Sequence, residues 1–412
     1  MIVDNLTIIV STILIILTII TTLVANPFFR LRPGHNNMPC NEDNADDGCT
    51  DNADNAKAES ADNAKAESAD YKANVGPRLS VVVVSNGTAE QMDNHLSAIL
   101  SQHYEPGFEV IVVAGHRDSE TEDVLKRYAA NSTLYTTFVP QRSLFMSRGK
   151  LAMTIGVKAA HNEWVIITDS RYTPVSDQWL KAMATGCTND KDLVLGYSNY
   201  EAKAKPFYRF ERLREQAYFL RMAYNGKAFC ANAGNVMFRR DLFINNDGYR
   251  GNLQFIQGEY DFIVNKYAKK GNAAVITSPD AWMQEDAPSK NAWRIEKIGF
   301  INYRGSLQGI NRYRALHMFD TFCLYTNYLA DIAFGTWAAI SQNWIMLAAA
   351  CVAFIGTLVA RTIIANKMFK RFDTQLSAWR AIPYELRGFW HSLIYRIRYA
   401  YADKHVFSSH KL

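Results

Sequence analysis

Trp164-Val165-Ile166-Ile167-Thr168-Asp169-Ser170-Arg171 is an apolar, β-branched run that closes on a carboxylate. Five consecutive large apolar or β-branched residues read as a strand buried on both faces, as in a parallel sheet. Asp169 then lies at the carboxyl edge of that sheet, where open α/β folds bind ligands. A second acid two positions on would complete an Asp-x-Asp able to hold a divalent cation, but Arg171 stands there.

The same pattern repeats on both sides. Leu79 to Ser85, Phe108 to Ala114 and Leu134 to Val139 read as further strands, Asp192 to Tyr197 as a fifth, and Gly234 to Phe238 as a return to the sheet. Thr88 with Gln91 and Ser119 with Glu122 have capping-box spacing, and Ser147 opens a third helix through His161. A long aromatic and Arg-rich helix is expected over 206–226, near a membrane. Strands alternating with single helices predict right-handed crossovers and a mostly parallel, Rossmann-like α/β sheet flanked by helices. Ser85, Ala114 and Asp169 would meet at its edge.

Hydropathy adds membrane segments. Leu6 to Ala25 is 20 residues without a charge, long enough to cross a bilayer as a helix. It reads as a retained anchor, because no Lys or Arg precedes it and Val24-Ala25-Asn26 is a poor cleavage site. Arg30 and Arg32 follow and only Asp4 precedes, which places the amino terminus outside and the rest in the cytoplasm. A second apolar region runs from Thr321 to Ile364, broken at Ser341-Gln342-Asn343, and its two basic flanks suit a hairpin of two spans. Asp320, Asn327 and Asp331 would be costly in lipid, so an interfacial helix is the alternative for the first half.

Between anchor and sheet, Ala-Asp-Asn-Ala-Lys-Ala-Glu-Ser starts at Ala53 and again at Ala61, within an acidic stretch lacking large apolar residues. It reads as a disordered tether. Residues 361 to 412 carry ten Lys and Arg interleaved with Phe369, Phe372, Trp379, Phe389 and Trp390. Directly after apolar segments, that mixture fits helices lying on anionic membrane lipids better than nucleic acid. Six cysteines, at 40, 49, 187, 230, 323 and 351, form no CxxC pair, so neither a zinc site nor a disulfide framework is implied. The expected organisation is 1–30 membrane anchor, 31–77 acidic linker, 78–305 α/β domain, 306–366 membrane hairpin or interfacial helices, and 367–412 basic aromatic tail. A Rossmann dehydrogenase is disfavoured because Ser85-Asn86-Gly87-Thr88 lacks Gly-x-Gly-x-x-Gly, and a P-loop ATPase fails for want of Gly-Lys-Ser/Thr.

In this order, Leu79-Ser80-Val81-Val82-Val83-Val84, the helix from Ser147-Arg148-Gly149-Lys150, Thr168-Asp169-Ser170-Arg171-Tyr172-Thr173-Pro174, Gly234-Asn235-Val236-Met237-Phe238, Gly258-Glu259-Tyr260-Asp261 and Trp293-Arg294-Ile295-Glu296-Lys297 resemble the motifs of a family 2 glycosyltransferase of GT-A fold, in its bacterial membrane-anchored form. The resemblance implies inverting transfer of a sugar from a nucleotide-diphosphate sugar to a lipid-linked or envelope polysaccharide acceptor at the cytosolic face of the plasma membrane. It implies Ser85, Asn86, Gly115 and Asp169 around the nucleotide sugar, Glu259 or Asp261 as catalytic base, and Trp293, Arg294 and Lys297 on the acceptor or diphosphate side; by their charge, Arg171 and Lys150 are added to the nucleotide-sugar side.

Three family acids are replaced, at Ala114, Arg171 and Tyr260. Only Asp169 is left to bind Mg or Mn, if either is used. Arg171 has two readings: a permanently charged fork that holds the diphosphate in place of a cation, or an ion pair with Asp169. For Glu259 and Asp261 the bland alternative is that acids in a first helical turn serve the dipole. Glu285-Asp286 reads as a solvated loop pair, and Trp293 either stacks on a sugar or packs its helix on the sheet. The rival to an enzyme is a catalytically inactive GT-A scaffold that regulates a partner.

Overall fold

The computed structural model describes residues 5–31, 76–85, 88–116, 118–140, 143, 145–231 and 233–403. Arg32, the acidic repeats, Asn86 and the end of the basic tail lie outside the described residues. The expected runs form strands β1 Leu79–Val84, β2 Phe108–Gly115, β3 Leu134–Val139 and β4 Trp164–Asp169. They continue as β5 Tyr172–Pro174, β6 Leu193–Gly196, β7 Ser198–Tyr200, β8 Val236–Arg239, β9 Ala273–Ile276 and β10 Met283–Glu285.

Seven strands make the main sheet in the order β3-β2-β1-β4-β8-β6-β9. β1 is parallel to both β2 and β4, while β8 runs antiparallel to β4 and β6. Every side chain of β1 and β4 is buried, as two-sided packing of Val and Ile requires. In register, Val84 lies opposite both Val113 and Asp169, so Ser85, Ala114 and Asp169 reach one edge together, as expected. A small second sheet, β5-β10-β7, places Glu285 opposite Tyr172 and Tyr200 beside that edge.

Local signals mostly act as their chemistry dictates. Thr88 and Gln91 exchange the capping-box bonds, at 3.2 and 2.9 Å. The next helix differs: Asp118, one residue earlier than Ser119, is its cap, because its carboxylate reaches both Thr121 N and Thr121 Oγ1. The third runs Arg148–Ala159 and stops before His161. Pro206–Tyr224 is buried nearly all round, between the sheet and the segment that follows the first apolar helix, with Phe210 edge-on to Phe28.

Helices Asn5–Val24 and Trp344–Arg371 are each long and apolar enough to cross a membrane. Ile310–Ile340 turns at Ser341–Asn343 into Trp344–Arg371, so the expected break is where the chain reverses. The three helices form a bundle in which Val10 and Leu14 pack against Ala338, Met346, Ala350 and Ala353. Polar groups face inward: Asn343 Nδ2 donates to Thr7 Oγ1 at 2.5 Å, and Asn327 Nδ2 to Asp331 and Thr357, both at 3.0 Å. At the end nearer the sheet, Arg361 makes a two-pronged ion pair with Glu385, both contacts 2.8 Å, and donates to Thr21 O at 2.6 Å. Ile9, Ile13, Phe322, Leu329, Val352 and Ile355 are exposed on the outside. Asp320, Asn327 and Asp331 are buried within the protein, which removes the lipid-contact cost that their positions in the sequence suggest.

Candidate active site

Asp169 ends β4 with no exposed surface, and both carboxylate oxygens are occupied. Oδ1 accepts from Arg171 N and Nε, each at 3.0 Å; Oδ2 accepts from Arg171 Nη2 at 2.8 Å and from the Tyr260 hydroxyl at 3.0 Å. The tight turn after β4 folds the guanidinium back onto the acid two residues before it. Of the two readings of Arg171, the pair with Asp169 is the one observed. Yet 38% of the Arg171 side chain stays exposed, and its Nη1 lies 3.3 Å from Glu285 Oε1. The guanidinium therefore keeps an exposed face at the sheet edge while it is paired with two carboxylates.

That cation faces a cavity of 800 Å³, within the size range of small-molecule sites. Glu259, Tyr260, Arg212, Glu285 and Glu296 also line it. Gly258 carries φ +90°, and a Cβ there would meet the Phe262 and Tyr303 rings at 2.9 Å, so glycine is required for the turn that aims Glu259. The Glu259 carboxylate rests against Gly149, where an added Cβ would lie 2.6 Å from Oε1. Burial raises its pKa, opposed by its own helix-terminal amide and by Lys150.

Part of the cavity wall is an ion-pair network that the sequence reading missed. Arg212 Nη2 donates to Glu285 Oε2 at 2.9 Å and to Glu296 Oε1 at 3.1 Å, and it also contacts the Tyr200 hydroxyl. Tyr172 OH donates to Glu285 Oε2 at 2.9 Å. The expectation of a solvated Glu285-Asp286 pair is thus corrected: β10 takes Glu285 into the interior, where it is 4% exposed. Burial raises the Glu285 pKa while Arg212 and Arg171 pull it down. Asp286 is pinned by Gln91 at 2.5 Å and His95 at 3.3 Å.

The other expected residues divide. Asp261 borders the cavity but is 1% exposed, accepting from Ala231 N at 2.9 Å and Tyr303 OH at 2.6 Å. Its carboxylate anchors two neighbouring segments. Lys150 is buried, with Nζ donating to Asn252 O at 2.8 Å and to Phe255 O, and it does not line the cavity. Burial brings its pKa down to about 8. Its ammonium is held by the backbone that leads into Glu259.

Gly115 ends β2 with Arg148 packed over it, and Ser85 Oγ is buried with no hydrogen-bond partner among the described residues. Trp293 is wholly buried and stacks on Tyr208 with centroids 4.1 Å apart, so packing displaces the sugar-stacking expectation. Arg294 bonds Asn291 and Lys297 bonds Glu215, both away from the cavity. Their helix turns those faces elsewhere.

A divalent cation does not fit at Asp169. Its four hydrogen bonds come from a guanidinium, a backbone amide and a phenol, and a fixed positive charge sits 2.8 Å from the carboxylate. Among the described residues, no group of three His, Cys, Asp or Glu is placed to hold a metal ion.

Sheet order, the carboxylate at the end of β4 and the cavity beside Glu259 describe a GT-A-like, mostly parallel α/β fold with an open cleft at its sheet edge. Residues 77–297 match the sequence profile described as Glycosyltransferase like family 2, and the chain belongs to that family. No curated protein matches the chain. Among solved structures, it is similar to the mannosyltransferase PcManGT from Pyrobaculum calidifontis in complex with GDP-Man and Mn2+, at 20% identity over 75% of this chain and 87% of that one, with a TM-score of 0.46. It is also similar to S. aureus TarS 1-349 in complex with UDP-GlcNAc, at 13% identity over 76% and 92%, with a TM-score of 0.38.

Proposed function

We propose that the protein is a membrane-anchored glycosyltransferase that moves a sugar, with inversion, from a nucleotide-diphosphate sugar to a lipid-linked or envelope polysaccharide acceptor. The observation that carries this reading is one open cavity bordered by both the Glu259 carboxylate and the Arg171 guanidinium. Glu259 takes the proton of an acceptor hydroxyl, that oxygen bonds to the anomeric carbon, and the bond from that carbon to the diphosphate breaks. Arg171 meets the negative charge left on the diphosphate, the task a cation performs elsewhere. The three-helix bundle, with its apolar exterior, supports spanning of the plasma membrane with the amino terminus outside and the 78–305 domain cytoplasmic. The acidic 31–77 segment is then the tether and the carboxyl-terminal helices the membrane-facing base.

One observation favours a second reading, an inactive regulatory scaffold: Asp169 is fully engaged by Arg171 and Tyr260. Calorimetric titration of detergent-solubilised protein with nucleoside diphosphates and their sugars separates the two. Binding that is unchanged by manganese is expected for the enzyme, and Arg171→Ala should weaken it by about tenfold or more. Manganese-dependent binding would overturn the role of Arg171. A folded protein that binds none of the panel would favour the scaffold.

A further inference from the structure

Away from the sheet edge, helices Pro206–Tyr224, Lys290–Tyr303 and Ala381–Ala400 converge with the first turns of Ile310–Ile340 on a cavity of 70 Å³. Sites for small molecules are typically above about 300 Å³, so this one suits a single anionic group and not a nucleotide sugar. Arg214, Lys297, Arg304, Arg314 and Arg396 line it against only Glu211 and Glu215. Both acids are already used: Glu215 holds Lys297 at 2.5 Å, and Glu211 faces His391 at 3.4 Å and Arg214 at 3.9 Å. Among the described residues, no carboxylate forms an ion pair with Arg304, Arg314 or Arg396.

Like charges gathered on a partly desolvated cavity raise its free energy until an anion joins them. Burial pushes the Arg304 guanidinium below its ordinary pKa, as do the neighbouring charges of Arg396 and Arg314, against the opposing charge of Glu215. The surface nearby indicates which anion. One turn beyond Arg314, the same helix begins its exposed apolar face with Met318, Phe319 and Phe322, and exposed Trp390, Ile394 and Ile397 share a helix with Arg396. Basic side chains at such a boundary meet lipid phosphates, and aromatic rings sit at headgroup level.

We propose that the cavity bounded by Arg304, Arg314 and Arg396 binds the phosphate group of an anionic membrane lipid. The assignment rests on the membrane-anchored reading above. Guanidinium groups pair with phosphate oxygens through two parallel bonds, so two or three of them can grip a terminal phosphomonoester and discriminate against a headgroup capped by choline.

The test is calorimetry on the full chain in non-ionic detergent, titrated with dihexanoyl phosphatidic acid, dihexanoyl phosphatidylcholine and inorganic phosphate. Phosphatidic acid should bind in preference to the other two, and Arg304→Gln with Arg396→Gln should weaken it by about tenfold or more. Should that pair fail to fold, Arg314→Gln alone gives the same reading with a smaller loss. Unchanged affinity in folded variants would overturn the site. Equal affinity for inorganic phosphate would overturn its assignment to a lipid. Nucleoside diphosphate titrations on the same samples report separately on the catalytic reading, and resistance to alkaline carbonate extraction reports on membrane anchorage.

Discussion

Glu259→Gln lowers turnover by about 10²- to 10⁴-fold while nucleotide-sugar affinity stays near that of the unaltered protein, the range expected when a general base is removed. Glutamine keeps the shape of the side chain against Gly149 and loses only the ability to take a proton. Because burial raises the Glu259 pKa, the base becomes competent at a higher pH than an ordinary carboxylate would. The acid limb of the kcat/KM profile should lie above the usual carboxylate range, and the residual activity of the variant should lack that limb. A variant that keeps full turnover would exclude Glu259 as the base. Asp261→Asn behaves differently, because the carboxylate that holds Ala231 N and Tyr303 OH works through structure. Its loss appears first as a lowered melting temperature.

Arg212→Ala destabilises the fold by about 3–5 kcal/mol, the cost of leaving a buried ion pair half made. Arg212 is the shared partner of Glu285 and Glu296, and its removal strands Glu285 with Arg171 as its remaining cation. The defect depends on pH with a definite sign. The Glu285 pKa in the fold already lies above its unfolded value, and losing Arg212 raises it further. The variant is therefore least impaired when Glu285 is protonated in both states. It loses stability as pH rises from the unfolded carboxylate range through the raised folded pKa. Urea unfolding at several pH values measures this. Arg212→Met with Glu285→Gln should recover part of the loss, since a well-packed neutral pair avoids the stranded charge; no recovery would mean that the stranded Glu285 charge is not the source of the loss.

The strands were legible because burial on both faces requires runs such as Val81 to Val84 and Val165 to Ile167, and no other element tolerates them as well. Asp169 was legible for the same reason, as the polar end of an apolar run. Arg171 was legible as an alternative, since a cation two residues from a carboxylate at a turn can fold back onto it. Glu285, Arg212 and Glu296 were not, because their bonds link positions 73 and 84 residues apart and no local pattern records that. The contacts of Trp293 with Tyr208 and of Lys297 with Glu215 were not legible, because helix periodicity shows that a face exists but not what it meets. Lys150 followed a motif whose backbone survives here with a different task. The hydroxyl of Tyr260 could have been suspected only by asking what else might quiet Asp169 once the second acid is gone.

Arg361 joins Thr21, 340 residues earlier, to Glu385 near the other end of the chain. Such a clasp has a consequence for the order of assembly. The first helix leaves the ribosome long before Trp344–Arg371 exists, so its contacts with Asn343 and Arg361 form only after the α/β domain has been synthesised. Completion of the bundle is a late event, gated by synthesis of the last helix. A chain cut short before Glu385 would lose that closure, and with it the helix that packs Tyr395 into the cluster of Tyr208 and Trp293.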